Sequence, residues 1–426
     1  MKFNRRRFLQ AFGAAAAVAA TPTIVRAATP PRVVVIGGGF AGATAAKYLR
    51  MWSDHTIDVT LVDPNAGHTS CVLSNLVLNR RISLQELKMS YGSLSSFYGV
   101  KVIQDRATAV NGSVKRVQLD GGDTLTYDHL VIATGIDFKM LSDLDFDVTP
   151  HAWIAGPQTN LLASKVNSLG PESTFIMTIP PKPYRCPPGP YERACLVADI
   201  LKRKGFDSGD AKVIVLDANP SIQAERKTFD SAFTGLYRNI VEYIPNATLN
   251  GVDSANGRVD TSLGEYVGDV VNIIPQQQAM SFVRDSGLTG DGVWAGVDPL
   301  TYASTESGFD GVHIIGDSQG TGQPKSAHMA NSQAKICADA IIRMLAGVDV
   351  SFETGDPDRW KNITTNSACY SPITYDQASW LTANYRYNAG TGQMEGVHVG
   401  EAERWSRENY KEMFAWASNL FTDSFH

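Results

Sequence analysis

Four apolar residues, Val33 to Ile36, run without a polar break and stop at Gly37. A short apolar run bounded by glycine predicts a buried strand. Apolar side chains then return at helical spacing, at Ala43, Ala46 and Leu49, and a second strand-like run, Ile57 to Val62, ends on Asp63. Runs of the same kind recur at Leu130 to Ile132, Thr174 to Ile179, Lys212 to Leu216, Val270 to Ile274 and Val312 to Ile315. Between 100 and 119 the pattern predicts two or three short strands, and 81–99 reads as mixed helix and loop. Ser70 or Ser74 is placed to cap a helix start. Further helices are predicted from Pro190 to about Lys204, proline suiting the first helical position, and from Pro324 to about Leu345. Residues 351–426 are rich in aromatics, most of them expected in the core. Strands alternating with helices predict an α/β protein, and 426 residues leave room for two or three domains.

The first turn carries chemistry. Gly37, Gly39 and Gly42 have the spacing G-x-G-x-x-G between a strand and a helix, and Asp63 follows Gly42 by 21 residues at the end of the next strand. That arrangement predicts dinucleotide binding. The glycines permit a tight turn, close approach to a pyrophosphate and close helix packing, while the acid reaches a ribose hydroxyl. The helix start adds free N–H groups and a positive dipole end. A second strand–turn–helix–strand unit opens at Thr174, but its turn, Pro180 to Arg193, holds six prolines and one glycine. Proline offers no N–H to a phosphate. The second unit is therefore expected to keep the fold without a nicotinamide site, so NAD(P)H is not expected as a partner.

Composition narrows the field. A net charge of −5 gives no reason to expect nucleic acid. Arg5-Arg6-Arg7-Phe8-Leu9 precedes an apolar run, Ala11 to Ala20, and then Val25-Arg26-Ala27-Ala28. Charge, short apolar core and small residues form a signal peptide, and the paired arginines resemble a twin-arginine export signal. Cleavage near Ala27 and a periplasmic mature protein are expected. The apolar run falls short of the ~20 residues that span a bilayer, and no transmembrane segment is expected elsewhere.

There are five cysteines, and their spacing alone assigns no pairing. Cys337 shares helical spacing with Ala340, Ile341 and Met344 and is expected in the core; Cys195, inside the predicted helix, is expected to be structural too. Cys186 and Cys369 lie in loop-like sequence and would pair in an oxidising compartment if the fold brought them together. Cys71 is then the odd one. No C-x-x-C-H haem motif and no metal-ligand spacing occur, so no metal is expected.

Several stretches together resemble a known family: GGGFAGATAAKYL, SCVLSN around Cys71, YRCPPGPYERA around Cys186, HIIGDSQG, PKSAHMANSQAK, SACYSPI around Cys369 and the C-terminal FAWASNLFTDSF. They resemble the flavoprotein subunit of flavocytochrome c sulfide dehydrogenase, a relative of sulfide:quinone oxidoreductase in the disulfide-reductase superfamily. The resemblance implies two Rossmann-like, glutathione-reductase-like domains plus a C-terminal α+β interface domain. Residues 28–150 and 276–350 would form the FAD domain, 151–275 the second Rossmann-like domain, and 351–426 the C-terminal one, after a signal peptide over 1–27. Ala133-Thr134-Gly135 resembles the second flavin-domain signature. Gly316-Asp317 resembles the third, whose acid holds the FAD ribityl and phosphate region. Lys325, at the start of the following helix, either supports a reduced anionic flavin or is a surface lysine.

By the same resemblance, Cys71 carries FAD through a thioether to the 8α-methyl. Cys186 and Cys369 form a redox-active disulfide, Glu192 moves protons beside it, and Trp416 lies near the flavin. The bland alternatives are a free Cys71, a structural bridge and a helix-start glutamate. The implied activity is oxidation of hydrosulfide to polysulfide or sulfur, with electrons passed to a haem on a separate c-type cytochrome subunit. A sulfide:quinone oxidoreductase and a non-catalytic electron-relay subunit are the competing expectations.

Overall fold

The computed structural model describes residues 29–426; the expected export signal and its cleavage region, 1–27, lie outside the described residues. Strand β1 (Arg32–Ile36), helix α1 (Phe40–Trp52) and strand β2 (Asp58–Asp63) form the first strand–turn–helix–strand unit. β3 (Lys101–Gln104) and β4 (His129–Ile132) follow. The chain then builds a second unit from β5 (Thr174–Ile179), α2 (Gly189–Arg203), β6 (Lys212–Asp217), β7 (Val241–Pro245) and β8 (Val270–Ile273). It returns to the first unit with β9 (Val312–Ile314) and α3 (Ala327–Leu345). The last region is an antiparallel sheet, β10 (Thr364–Pro372), β11 (Ala378–Asn388) and β12 (Gln393–Glu401), closed by α4 (Arg407–Phe425).

Both large sheets are parallel, ordered β9-β4-β1-β2-β3 and β7-β6-β5-β8. Their central strands are apolar on both faces because helices or loops cover both. Val33 and Val35 meet α1 and α3, while Val34 and Ile36 pack on the opposite side. Alanines on α1 and α3 let the two helices approach closely, and a Cβ on Gly42 would stand 1.8 Å from the Gly37 carbonyl oxygen. Only glycine fits there. Cys337 and Cys195 are fully buried in separate cores.

Two helix starts differ from expectation. Ser70 and Ser74 cap no α-helix: Leu73 takes a left-handed conformation (φ 68°) and the chain makes a single 3₁₀ turn, Ser74–Val77, while the Ser70 hydroxyl accepts from the Val72 N–H at 3.0 Å. α3 begins at Ala327 rather than Pro324, because Ser326 supplies the cap, accepting from the Met329 N–H at 3.1 Å. At the other end of the chain, Lys47 Nζ on α1 donates to the Thr422, Asp423 and His426 carbonyls at 3.2, 3.0 and 2.5 Å. A lysine on α1 thus fastens the C-terminal helix to the first unit through oxygens of its last turn. No helix among the described residues is long and apolar enough to cross a membrane.

Candidate active site

The proline-rich turn between β5 and α2 cannot offer a row of N–H groups to a phosphate. Instead it docks on the first unit, where the Cys186 N–H donates to the Lys325 carbonyl at 2.7 Å. Cys186 sits in the left-handed region (φ 58°), a conformation that costs about 1–3 kcal/mol for such a residue and collects at functional sites. A Cβ on Gly189 would stand 2.8 Å from Cys186 Sγ and 2.9 Å from the Trp153 ring, so glycine is what lets the helix start close on the thiol.

Cys186 shares a cavity with Cys71, from the turn before Ser74, and with Cys369, from β10. Glu192 from the first turn of α2, His328 from α3 and Trp416 from α4 complete its walls. The three thiols are half-buried and free; the expected Cys186–Cys369 bond is not formed here. Burial first, then the other sulfur, pushes the Cys186 thiol well up; burial and then Glu225 push Cys369 up to about 12, so both hold their protons. Burial also raises Cys71, opposed by the Arg185 cation.

Glu192 is 7% exposed, and Asn75 Nδ2 donates to its Oε1 at 3.0 Å. Burial lifts its carboxyl to about 8, with the Asn75 bond pulling the other way. It is a neutral acid at pH 7, poised to give up a proton near physiological pH. Arg193, beside it, is 2% exposed and donates Nε to Asn75 Oδ1 at 3.0 Å. Its remaining nitrogens reach the His151 and Ala152 carbonyls and Asn272 Oδ1 at 3.0, 2.6 and 2.8 Å.

The glycine turn leads away from this cavity. The Gly38 N–H donates to Asp63 Oδ2 at 2.7 Å, and Asn65 donates its N–H and Nδ2 to Oδ1 at 2.8 and 3.2 Å, which leaves a lone pair on Oδ2 for a ribose. Gly39 precedes the first residue of α1 without a side-chain cap, leaving the helix-start N–H groups facing the turn. Ala133, Thr134 and Gly135 follow β4, and the Ser318 hydroxyl bonds the Gly135 carbonyl and stands 3.4 Å from Thr134 Oγ1. Gly316 and Asp317 follow β9, and Asp317 Oδ1 is buried with no hydrogen-bond partner among the described residues. Lys325 is not on the surface: it is 5% exposed, and its Nζ donates to the Asp317 and Gln319 carbonyls at 2.8 and 2.6 Å and lies 3.7 Å from the Trp294 ring centroid. Burial lowers it to about 8.

With this geometry in place, comparison with known proteins is informative. The family described as sulfide dehydrogenase [flavocytochrome c] flavoprotein chain, central, matches residues 159–275, and the pyridine nucleotide-disulphide oxidoreductase family matches residues 31–147. The mitochondrial sulfide:quinone oxidoreductase of Mus musculus is 22% identical over 317 residues, covering 70% of this chain and 68% of that protein. The crystal structure of sulfide:quinone oxidoreductase from Aquifex aeolicus superposes with a TM-score of 0.73 at 15% identity, covering 93% of this chain and 91% of that one. The sulfide dehydrogenase [flavocytochrome c] flavoprotein chain of Chlorobaculum thiosulfatiphilum is 56% identical over 41 residues, which are 10% of this chain and 83% of that sequence. The chain belongs to the flavocytochrome c sulfide dehydrogenase flavoprotein family.

That family is one of FAD-dependent, sulfide-oxidising flavoproteins, and the two-dinucleotide-domain fold agrees with it. The residues present fit FAD. The Gly37–Gly42 turn leaves no room for a Cβ at Gly42, Asp317 Oδ1 is an orphaned acceptor, and Trp416 Nε1 is an orphaned donor. In this member of the sulfide dehydrogenase family, two cavities collect many of the residues singled out in the sequence. Cys71, Cys186, Glu192, Cys369 and Trp416 line one, whereas Gly37, Asp63 and Thr134 line a second. Sequence reasoning assigned no role to Asn75, Arg193, Trp153 or Glu225. Asn75 and Arg193 sit inside the two motifs quoted for their cysteines, so adjacency was the available signal.

Asp217 ends β6 and is fully buried, accepting from the Tyr191 and Tyr243 hydroxyls at 2.7 and 2.8 Å and from Asn219 N and Nδ2 at 2.8 and 2.7 Å.

Proposed function

We propose that the chain is a periplasmic sulfide dehydrogenase that oxidises hydrosulfide to polysulfide or sulfur at a Cys186–Cys369 disulfide and passes electrons to a separate c-type cytochrome subunit. The observation that carries this reading is the meeting of Cys71, Cys186, Cys369 and the neutral acid Glu192 in one cavity. FAD, when bound, supplies a two-electron acceptor that releases electrons one at a time. Asp63, the Gly37–Gly42 turn and Asp317 would hold it, and Cys71 would tether it covalently. Asp217, fully bonded within the second unit, supports the reading that NAD(P)H has no part. The paired arginines at the N-terminus support export by the twin-arginine route, and the lack of a C-x-x-C-H motif in the sequence supports a haem held by a partner.

In the oxidised protein, hydrosulfide attacks one sulfur of the bridge. The S–S bond breaks, a persulfide forms on that cysteine, and the other cysteine leaves as thiolate. Arg185 is the cation next to Cys186 and Cys71, and it draws the anionic substrate to that side of the cavity. Glu192 supplies and recovers the proton.

Two predictions test this reading. Denaturing precipitation of the mature protein, followed by peptide mapping, is expected to leave flavin on the peptide containing Cys71. Cys71→Ser is expected to release all of it. Full release from the unaltered protein would sink the covalent site. Hydrosulfide-dependent reduction measured against pH is expected to fall as pH rises through about 8, where Glu192 loses its proton. Glu192→Gln is expected to lose that alkaline limb and to be slower by about 10²-fold, the lower end for a positioned acid. The same shift makes a stability statement. Between 4.5 and about 8 the folded state holds a proton that the unfolded chain releases, so this group lowers stability as pH rises through that window.

A further inference from the structure

A second buried acid stands behind the cysteine pair. Glu225 is 2% exposed and held in the left-handed region (φ 48°) at the head of the short helix Arg226–Ser231. Its Oε1 accepts from the Ser371 hydroxyl at 2.6 Å, and Oε2 has no hydrogen-bond partner among the described residues. Ser371 lies two positions beyond Cys369 on β10, so both side chains project from one face of the strand. Ser367, a further two positions back, continues that polar row and bonds Ser326 at the cap of α3 at 2.8 Å. Glu225 therefore closes a row of polar side chains that has Cys369 at its centre.

The two acids divide between the two sulfurs. Glu192 raises both cysteines, whereas Glu225 acts on Cys369, more strongly than Glu192 does, and is not among the groups that shift Cys186. The groups facing Glu225 are Cys369 and Ser371 on β10, Ser379 on β11, Glu401 on β12, and Glu192 and Cys195 on α2. No cation is among them. A thiolate forming on Cys369 would place a second negative charge in this buried cluster, which is costly unless a proton arrives.

We propose that Glu225 is a positioning residue for the disulfide chemistry: its carboxylate makes the Cys369 sulfur bind one proton when the Cys186–Cys369 bond opens and release it when the bond re-forms. The proposal rests on the disulfide reading given above. Hydrosulfide sulfur bonds to Cys186 as the Cys186–Cys369 bond breaks, and the electron pair of the broken bond stays on Cys369 as thiolate. One solvent proton then converts that thiolate to the thiol. No electrons enter or leave in this step, and closure reverses it. Burial sets the Glu225 carboxyl at about 7, well below the Cys369 thiol at about 12, so the proton goes to the sulfur.

The test uses the purified holoprotein, its bridge opened with a phosphine reductant, and alkylation of each cysteine by iodoacetamide followed against pH by peptide mass spectrometry. Removing the negative charge with Glu225→Gln is expected to move the Cys369 midpoint down by about one pH unit, roughly a tenfold faster reaction at fixed pH, and to leave Cys186 within twofold. Glu225→Asp should restore the original midpoint, which loss of packing would not do. Should Glu225→Gln fold poorly, Ser371→Ala provides the second variant. It keeps the carboxyl but removes the bond that fixes it against β10, so Cys369 is expected to shift the same way by less. A Cys369 midpoint that stays put in both variants, or moves together with Cys186, overturns the proposal. Because the phosphine opens the bridge, failure of hydrosulfide to reduce the flavin would count against the disulfide reading alone and leave this measurement standing.

Discussion

Cys369→Ser is expected to give a folded protein whose flavin hydrosulfide no longer reduces, with the rate down by at least about 10³-fold, the scale set by losing a covalent group in a catalytic unit. Serine is close to cysteine in size. The pairing of Cys369 with Leu381 across β10 and β11 is made by backbone and survives the change. What is lost is the sulfur that bonds Cys186, and an oxygen cannot stand in for it. Cys186→Ser should fail to the same degree, since either change leaves a single sulfur and no bridge to open. Cys195→Ser and Cys337→Ser are the controls: both side chains are fully buried in cores, so they should cost about 1–3 kcal/mol of stability for an added hydroxyl and leave the rate within about twofold. Rapid mixing of the oxidised variants with hydrosulfide, followed by flavin absorbance, reads all four. Normal bleaching in Cys369→Ser would remove the disulfide from the mechanism.

What could be read from the sequence is what local geometry dictates. The Gly37–Gly42 turn was legible because a phosphate-binding turn needs glycine at fixed spacing, and Cys337 because a buried helix face repeats every three or four residues. The proline-rich turn was legible as one with few N–H groups. The bonding of Asp217 was not, since the tyrosines that bond it come from α2 and β7 and meet only in the folded sheet. Glu225 left no trace because a left-handed residue ahead of a six-residue helix carries no periodicity, and its link to Cys369 is made by β10, far along the chain. The cap expected at Ser70 or Ser74 failed because Leu73 turns left-handed, which puts Cys71 and Asn75 into the cavity wall instead of at a helix start. Burial also changed Lys325. Its position beside a helix start fits a surface lysine equally well, and only the carbonyls of Asp317 and Gln319 show where its charge is spent.

Arg193→Ala is expected to have the largest effect on stability, about 3–5 kcal/mol, the range for removing one partner from a buried charged network. The guanidinium is almost fully buried and bonds the His151 and Ala152 carbonyls, Asn272 Oδ1 and Asn75 Oδ1, with the Trp153 ring 5.0 Å away. Truncation leaves the Ala152 carbonyl and the Asn75 and Asn272 amide oxygens without that donor, while the His151 carbonyl keeps Asn272 Nδ2 at 3.0 Å. Lysine should not rescue the protein, because a single ammonium cannot reproduce the planar fork that reaches four acceptors. A thermal melt should fall by several degrees in both variants. The kinetic consequence follows from Asn75. Its Oδ1 is fixed by Arg193 Nε, which turns Nδ2 toward Glu192. Without Arg193 the amide loses that orientation, and Glu192 loses both a nearby cation and a secured donor, each of which lowers its pKa. The alkaline limb of hydrosulfide-dependent flavin reduction should therefore move above pH 8 in Arg193→Ala. A destabilised variant that keeps the limb at its original position would show that Arg193 holds the fold and has no hold on the acid.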